Sequence, residues 1–180
     1  MKYSDIYRLY STSQPKDAIH QALREVPVDD SDEQYEDRSP LHLACQYGDT
    51  EGVKILLERD AEPNTKDANG STPIHILGRT SAGCADEDKL KEIAVMLIEQ
   101  GANIPRSAKN TTALIECIRN RHFKMAEAII DSGARVNSTD LNGENVLFGF
   151  CAASGDIRRD IRFAKRNWTN PYNTVTPKTR

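Results

Sequence analysis

Apolar positions in this chain return as a fixed triplet. Val53, Leu56 and Leu57 are matched by Ala94, Leu97 and Ile98, and again by Ala126, Ile129 and Ile130. Separations of three and one put each triplet on one face of a helix. Three residues beyond each triplet stand Asp60, Gly101 and Gly133. A helix that closes there in left-handed backbone suits glycine, and suits aspartate less well. Asp49 and Asp86 stand where these helices should begin, with carboxylates able to accept the unpaired N–H groups of a first turn.

An upstream signature travels with the triplets. Ser39-Pro40-Leu41-His42-Leu43-Ala44-Cys45 returns as Thr72-Pro73-Ile74-His75-Ile76-Leu77-Gly78, and 33 residues separate Ser39 from Thr72 and Thr112 from Asn145. A unit of that length cannot bury its own apolar faces, so copies must stack. The period divides residues 1–168, read as one domain, into units at about 4–35, 36–66, 67–106, 107–139 and 140–167, with an irregular tail over 169–180. In the first unit the pattern predicts helical pieces over Asp5–Tyr10 and Lys16–Glu25. Pro15 falls at the entry of the second piece, where a proline is tolerated.

Ser39-Pro40-Leu41-His42 with Gly48 behind it, the turn Asp67-Ala68-Asn69-Gly70-Ser71-Thr72-Pro73, and the helix exit Gly133-Ala134-Arg135-Val136-Asn137 resemble the ankyrin-repeat family. The resemblance covers residues 36–155 well and 4–35 loosely. It implies an all-α solenoid of about five stacked helix pairs joined by short β-hairpin loops. It also implies that His42 and His75 are structural, their rings bonded to backbone at the base of a hairpin so as to tie neighbouring units. Two units depart from the pattern. Thr112-Ala113-Leu114-Ile115 lacks the proline and histidine, and Asn145-Val146-Leu147-Phe148 lacks the threonine as well. Phe148 and Phe150 suggest a bulkier terminal cap, since end repeats are atypical. The third unit carries extra residues within Arg79–Lys89, read as a tolerated loop.

Composition narrows the class. A chain of 180 residues that is 38% hydrophobic and 28% charged has room for a core. It has no apolar run near the roughly 18 residues that would span a bilayer, and its first residues lack the apolar segment of a secretory signal. A cytoplasmic protein without membrane contact is the expectation. Charge is uneven. Residues 1–37 hold nine acids against four bases, whereas residues 141–180 hold seven bases against three acids. Such asymmetry can steer a partner or set the register of self-association.

Little in the sequence points to catalysis. The cysteines at 45, 84, 117 and 151 follow the repeat rather than metal-ligand spacing, and three of them occupy small buried positions between helices. Cys84 lies apart, in the insertion, where Asp86, Glu87 and Asp88 oppose a thiolate. Gly78 and Gly83 are spaced as in a phosphate loop, but Cys84-Ala85 stands where Lys-Ser/Thr is required. His20 and His122 are isolated. No catalytic residue, cofactor, metal or small-molecule substrate is expected.

The resemblance implies docking through hairpin tips and the exposed side of the first helices. At the tips the candidates are Lys66, Asp67, Asn69, Lys109, Asp140 and Asn142. On the first helices they are Gln46, Tyr47, Arg79, Glu116, Arg119 and Asn120. Among these Tyr47, Arg79 and Arg119 are the types that carry binding energy when desolvated. The expected function is non-enzymatic recognition of a protein partner, by a monomer acting as scaffold, adaptor or inhibitor. Three alternatives stand beside it. One is nucleic-acid binding through Arg158, Arg159, Arg162, Lys165 and Arg166. The others are a thiol enzyme using Cys84 and an exported effector acting on a host protein. Trp168 is read as covering the last repeat's apolar face.

Overall fold

A computed structural model of the protein describes residues 1–80, 86–103 and 112–134. Within them the chain forms α1 (Tyr3–Ser11), α2 (Lys16–Glu25), α3 (Pro40–Gln46), α4 (Thr50–Leu57), α5 (Pro73–Arg79), α6 (Glu87–Glu99), α7 (Ala113–Arg119) and α8 (Phe123–Asp131). A 3-10 turn occupies Glu33–Tyr35, and no strand occurs among the described residues. Consecutive helices pair as α1/α2, α3/α4, α5/α6 and α7/α8, and the pairs stack. One row runs α1, α3, α5, α7 and the other α2, α4, α6, α8. The predicted all-α stack is what the chain builds, and Leu56, Leu97 and Ile129 are fully buried in one continuous core. Burying a leucine or isoleucine side chain contributes about 1.5–3 kcal/mol each.

The first helix of each middle unit starts by a local device. Ser39 and Thr72 cap α3 and α5, with Pro40 and Pro73 at the first helical positions. His42 Nδ1 accepts the Ser39 N–H at 3.2 Å, and Nε2 donates to the Ser71 carbonyl of the next unit at 3.0 Å. One nitrogen must accept and the other donate, so the ring is the neutral Nε2–H tautomer. Burial lowers the His42 pKa, and that of His75 falls to about 4 for the same reason, helped by the Arg79 charge. His75 repeats the local half, taking the Thr72 N–H at 3.3 Å. Among the described residues its Nε2 is buried without a hydrogen-bond partner, so the tie that His42 makes to the next unit is not repeated there. In α7 the missing proline and histidine leave the cap intact: Thr112 Oγ1 accepts the Ile115 N–H at 3.2 Å.

The second helices close alike. Asp60, Gly101 and Gly133 take φ values of 62°, 84° and 95°. The next N–H reaches back five residues in each case: Ala61 to Leu56 at 3.0 Å, Ala102 to Leu97 at 2.8 Å, and Ala134 to Ile129 at 3.2 Å. These are the long-range bonds of a Schellman exit. The insertion of the third unit is partly spent on helix. α6 has 13 residues against 8 in α4, and the additional turn Glu87–Leu90 buries Leu90 completely. Asp86 starts it as expected, accepting the Asp88 N–H at 3.0 Å.

Asp49 does not act as predicted. Its carboxylate makes no bond to the first turn of α4. Instead it is buried and accepts the Tyr10 hydroxyl at 2.7 Å, with His20 Nε2 at 3.0 and 3.1 Å from its two oxygens. His20, isolated in sequence, is therefore a partner of Asp49 across the first junction. Gly52 makes room for the group, because a Cβ there would lie 2.5 Å from Asp49 Oδ2 and 2.9 Å from Tyr10 Oη. Arg59 closes the same junction by donating to the carbonyls of Leu23 at 2.5 Å and Val26 at 2.8 Å, the exit of α2.

Candidate docking surface

The loop before α5 is built around one carboxylate. Asp67 Oδ1 accepts the N–H groups of Asn69 at 2.9 Å and Ser71 at 2.8 Å, while the Asp67 N–H donates to the Ser71 carbonyl at 2.9 Å. Gly70 turns the chain at φ 74°. The Ala68 N–H donates to the Glu36 carbonyl at 2.8 Å, which joins this loop to its predecessor. The side chains divide accordingly. Lys66 and Asn69 are exposed at the tip, whereas Asp67 is buried and spent on the turn.

Positions on the first helices divide too. Arg38 donates to Gln46 Oε1 at 2.7 Å, and one repeat on Arg79 donates to Ser71 Oγ at 3.1 Å. The same two repeat positions are bonded in both units with donor and acceptor exchanged. Arg79 also pairs with Glu116 at 3.1 Å, on the neighbouring α7. Glu116 is only 9% exposed, so its carboxylate serves the stack first. Asn120 donates its amide to the carbonyls of Gly78 and Glu116, both at 3.0 Å, and so binds α5 to α7. Arg79 and Arg119 are half-buried, and Tyr47 is 38% exposed. Lys109, Asp140, Asn142, Cys84, Cys151, Trp168 and the arginines at 158, 159, 162 and 166 with Lys165 lie outside the described residues, as does the tail 169–180.

Residues 22–77 match a family described as ankyrin repeats in many copies. Those residues carry ankyrin repeats. It is 38% identical over 69 residues to a Caenorhabditis elegans homolog of transient receptor potential cation channel subfamily A member 1. It is 34% identical over 108 residues to mouse neurogenic locus notch homolog protein 1, and 29% identical over 124 residues to the ankyrin repeat protein nuc-2 of Neurospora crassa. These matches cover 38%, 59% and 68% of this chain, but only 6%, 4% and 10% of the relatives. Ankyrin repeats are in general modules of protein–protein interaction.

In the ankyrin stack, the sequence reading missed an aromatic group at the first two repeats. Tyr7 lies 4.3 Å from Tyr35 between ring centroids, Tyr3 lies 5.6 Å from Tyr35, and Tyr10 stacks on Tyr47 at 4.8 Å and 15°. The spacing of Tyr3, Tyr7 and Tyr10 is helical and was available as a signal. Burial raises the Tyr3 and Tyr10 hydroxyls well above the ordinary phenol range, and Asp49 adds to the rise at Tyr10. Chemistry elsewhere is sparse. Cys45 and Cys117 are buried free thiols whose pKa burial pushes up, which suits packing rather than nucleophilic attack. Among the described residues no group of three His, Cys, Asp or Glu side chains could hold a metal, and no helix is long and apolar enough to cross a membrane.

Proposed function

We propose that the chain is a non-catalytic recognition module that binds a protein partner across the loop tips and the first-helix row. The carrying observation is the division of labour within that face. Asp67, Asn120 and the Arg79–Glu116 pair hold the frame, while Lys66, Asn69 and Tyr47 are exposed to a partner, with the half-buried Arg79 and Arg119 on the same row. A frame so bonded loses little conformational entropy on docking, which favours affinity. Lys109, Asp140 and Asn142 extend the same tip positions along the repeat in this reading. The five-unit domain over 1–168 belongs to the proposal as well.

The test is affinity capture from native cell extract with the full chain and two double variants. One is Lys66→Ala with Asn69→Ala, at exposed tip positions that cost the fold little. The other is Arg79→Ala with Arg119→Ala. A partner retained by the wild type and lost by about tenfold or more in either variant supports the face, a loss of the size that a hot-spot pair produces. Equal retention by all three proteins refutes it.

A further inference from the structure

The tyrosine group at the first two repeats stands where neither the repeat pattern nor the loop tips require it. Tyr7 and Tyr35 are half-buried, and Tyr47 is one of the two exposed large hydrophobic side chains among the described residues. Tyr7 and Tyr10 stand three residues apart on α1, Tyr7 against Tyr35 and Tyr10 stacked on Tyr47, so the rings form one neighbourhood drawn from α1, the 3-10 turn and the exit of α3. Beside them runs the segment 29–37, which contains six acids and no base. The adjoining Arg38 is already held by Glu36 at 2.5 Å and Gln46 at 2.7 Å.

Aromatic faces attract cations through the ring quadrupole, and an acidic surround strengthens that attraction while repelling acidic or phosphorylated segments. We infer that Tyr7, Tyr35 and Tyr47 seat an arginine or lysine side chain from a basic segment of a protein partner, with the 29–37 carboxylates selecting its charge. This deepens the recognition reading above and rests on it. Tyrosine suits the task because it offers a large rigid face at low entropic cost. An apolar segment would leave the carboxylates unanswered, and an acidic one would be repelled by them.

The probe is an acetylated, amidated Gly-Arg-Gly-Arg-Gly peptide titrated into the full chain, followed by the tyrosine ring signals in NMR. The counterpart with glutamate in place of arginine is the control. Expected are saturable shifts at Tyr7, Tyr35 and Tyr47 with the arginine peptide only, weakening with added salt. Tyr47→Leu should weaken binding about fivefold, whereas Tyr47→Phe, which keeps the ring, should hold it. Tyr7→Leu provides a second variant if Tyr47→Leu disturbs the stack. No saturable shift, an equal response to the glutamate peptide, or shifts confined to another face would each overturn the inference. Concentration-dependent dimerisation in sedimentation that Tyr47→Leu abolishes would also overturn it, because the occupant would be a second copy. Capture of a partner that depends on Lys66 and Asn69, with tyrosine rings unmoved by arginine, would sink this inference and leave the recognition reading standing.

Discussion

The first junction of the stack and the interior ones solve the same problem by different means. Between the second and third units, His42 reaches the Ser71 carbonyl as a neutral ring, and the residues that position it recur as Thr72 and His75. Between the first and second units no such signature exists. That contact is made by the buried Tyr10–Asp49–His20 group and by Arg59 on the α2 exit. His75 repeats only the local half of that device, and the next junction is held by Arg79 on Glu116 and Asn120 on the Gly78 carbonyl. An end unit has one neighbour and a face of its own, so its contacts are specific to it.

The largest expected effect breaks the first junction alone. Asp49→Ala leaves the buried Tyr10 hydroxyl without an acceptor and His20 without its carboxylate, at a cost of about 2 kcal/mol. Hydrogen exchange should show α1 and α2 losing protection while α4, α6 and α8 keep theirs, since stacked repeats couple mainly to neighbours. A uniform loss across all helices would show that the two junctions share one cooperative fate.

Acid should act on the interior junctions instead. The unfolded imidazole titrates near 6.5, whereas burial lowers His42 and His122 and brings His75 to about 4. Between those values the unfolded chain binds the extra protons. Stability is therefore full above about pH 6.5 and falls with pH below it, by up to about 1.4 kcal/mol per pH unit for each histidine inside its window. Urea midpoints between about pH 7.5 and 5 should show this slope above the range where carboxylates titrate. His75→Gln should flatten it, and an unchanged slope would assign the dependence to other groups.

The smallest effect concerns a helix exit. Asp60 occupies the left-handed position that Gly101 and Gly133 fill elsewhere. Asp60→Gly relieves the side-chain strain but adds freedom to the unfolded chain, for a net gain of about 0.5 kcal/mol by thermal melting. A destabilised variant would mean that the Asp60 side chain contributes something the backbone comparison omits.

Much of the fold was legible because its determinants are local. The triplets ending at Leu57, Ile98 and Ile130 located the second helices, and the αL exits followed from Asp60, Gly101 and Gly133. Ser39, Thr72 and Thr112 located the first helices. The docking face was legible only as positions. Asp67 and Asn69 stand two residues apart in one turn, yet one carboxylate is consumed by the backbone and one amide is free to face outward.

What the sequence alone determined is therefore the period, the helices, their caps and their buried stripe, since each depends on residues within a few positions of one another. Only the tertiary structure decided that Asp49 serves Tyr10 and His20 rather than its own helix, that Glu116 answers Arg79, and that Tyr7 meets Tyr35 while Tyr10 stacks on Tyr47. Those contacts join residues of different units. Which side chains meet across a junction is set by how the units stack, and spacing along the chain carries no record of that.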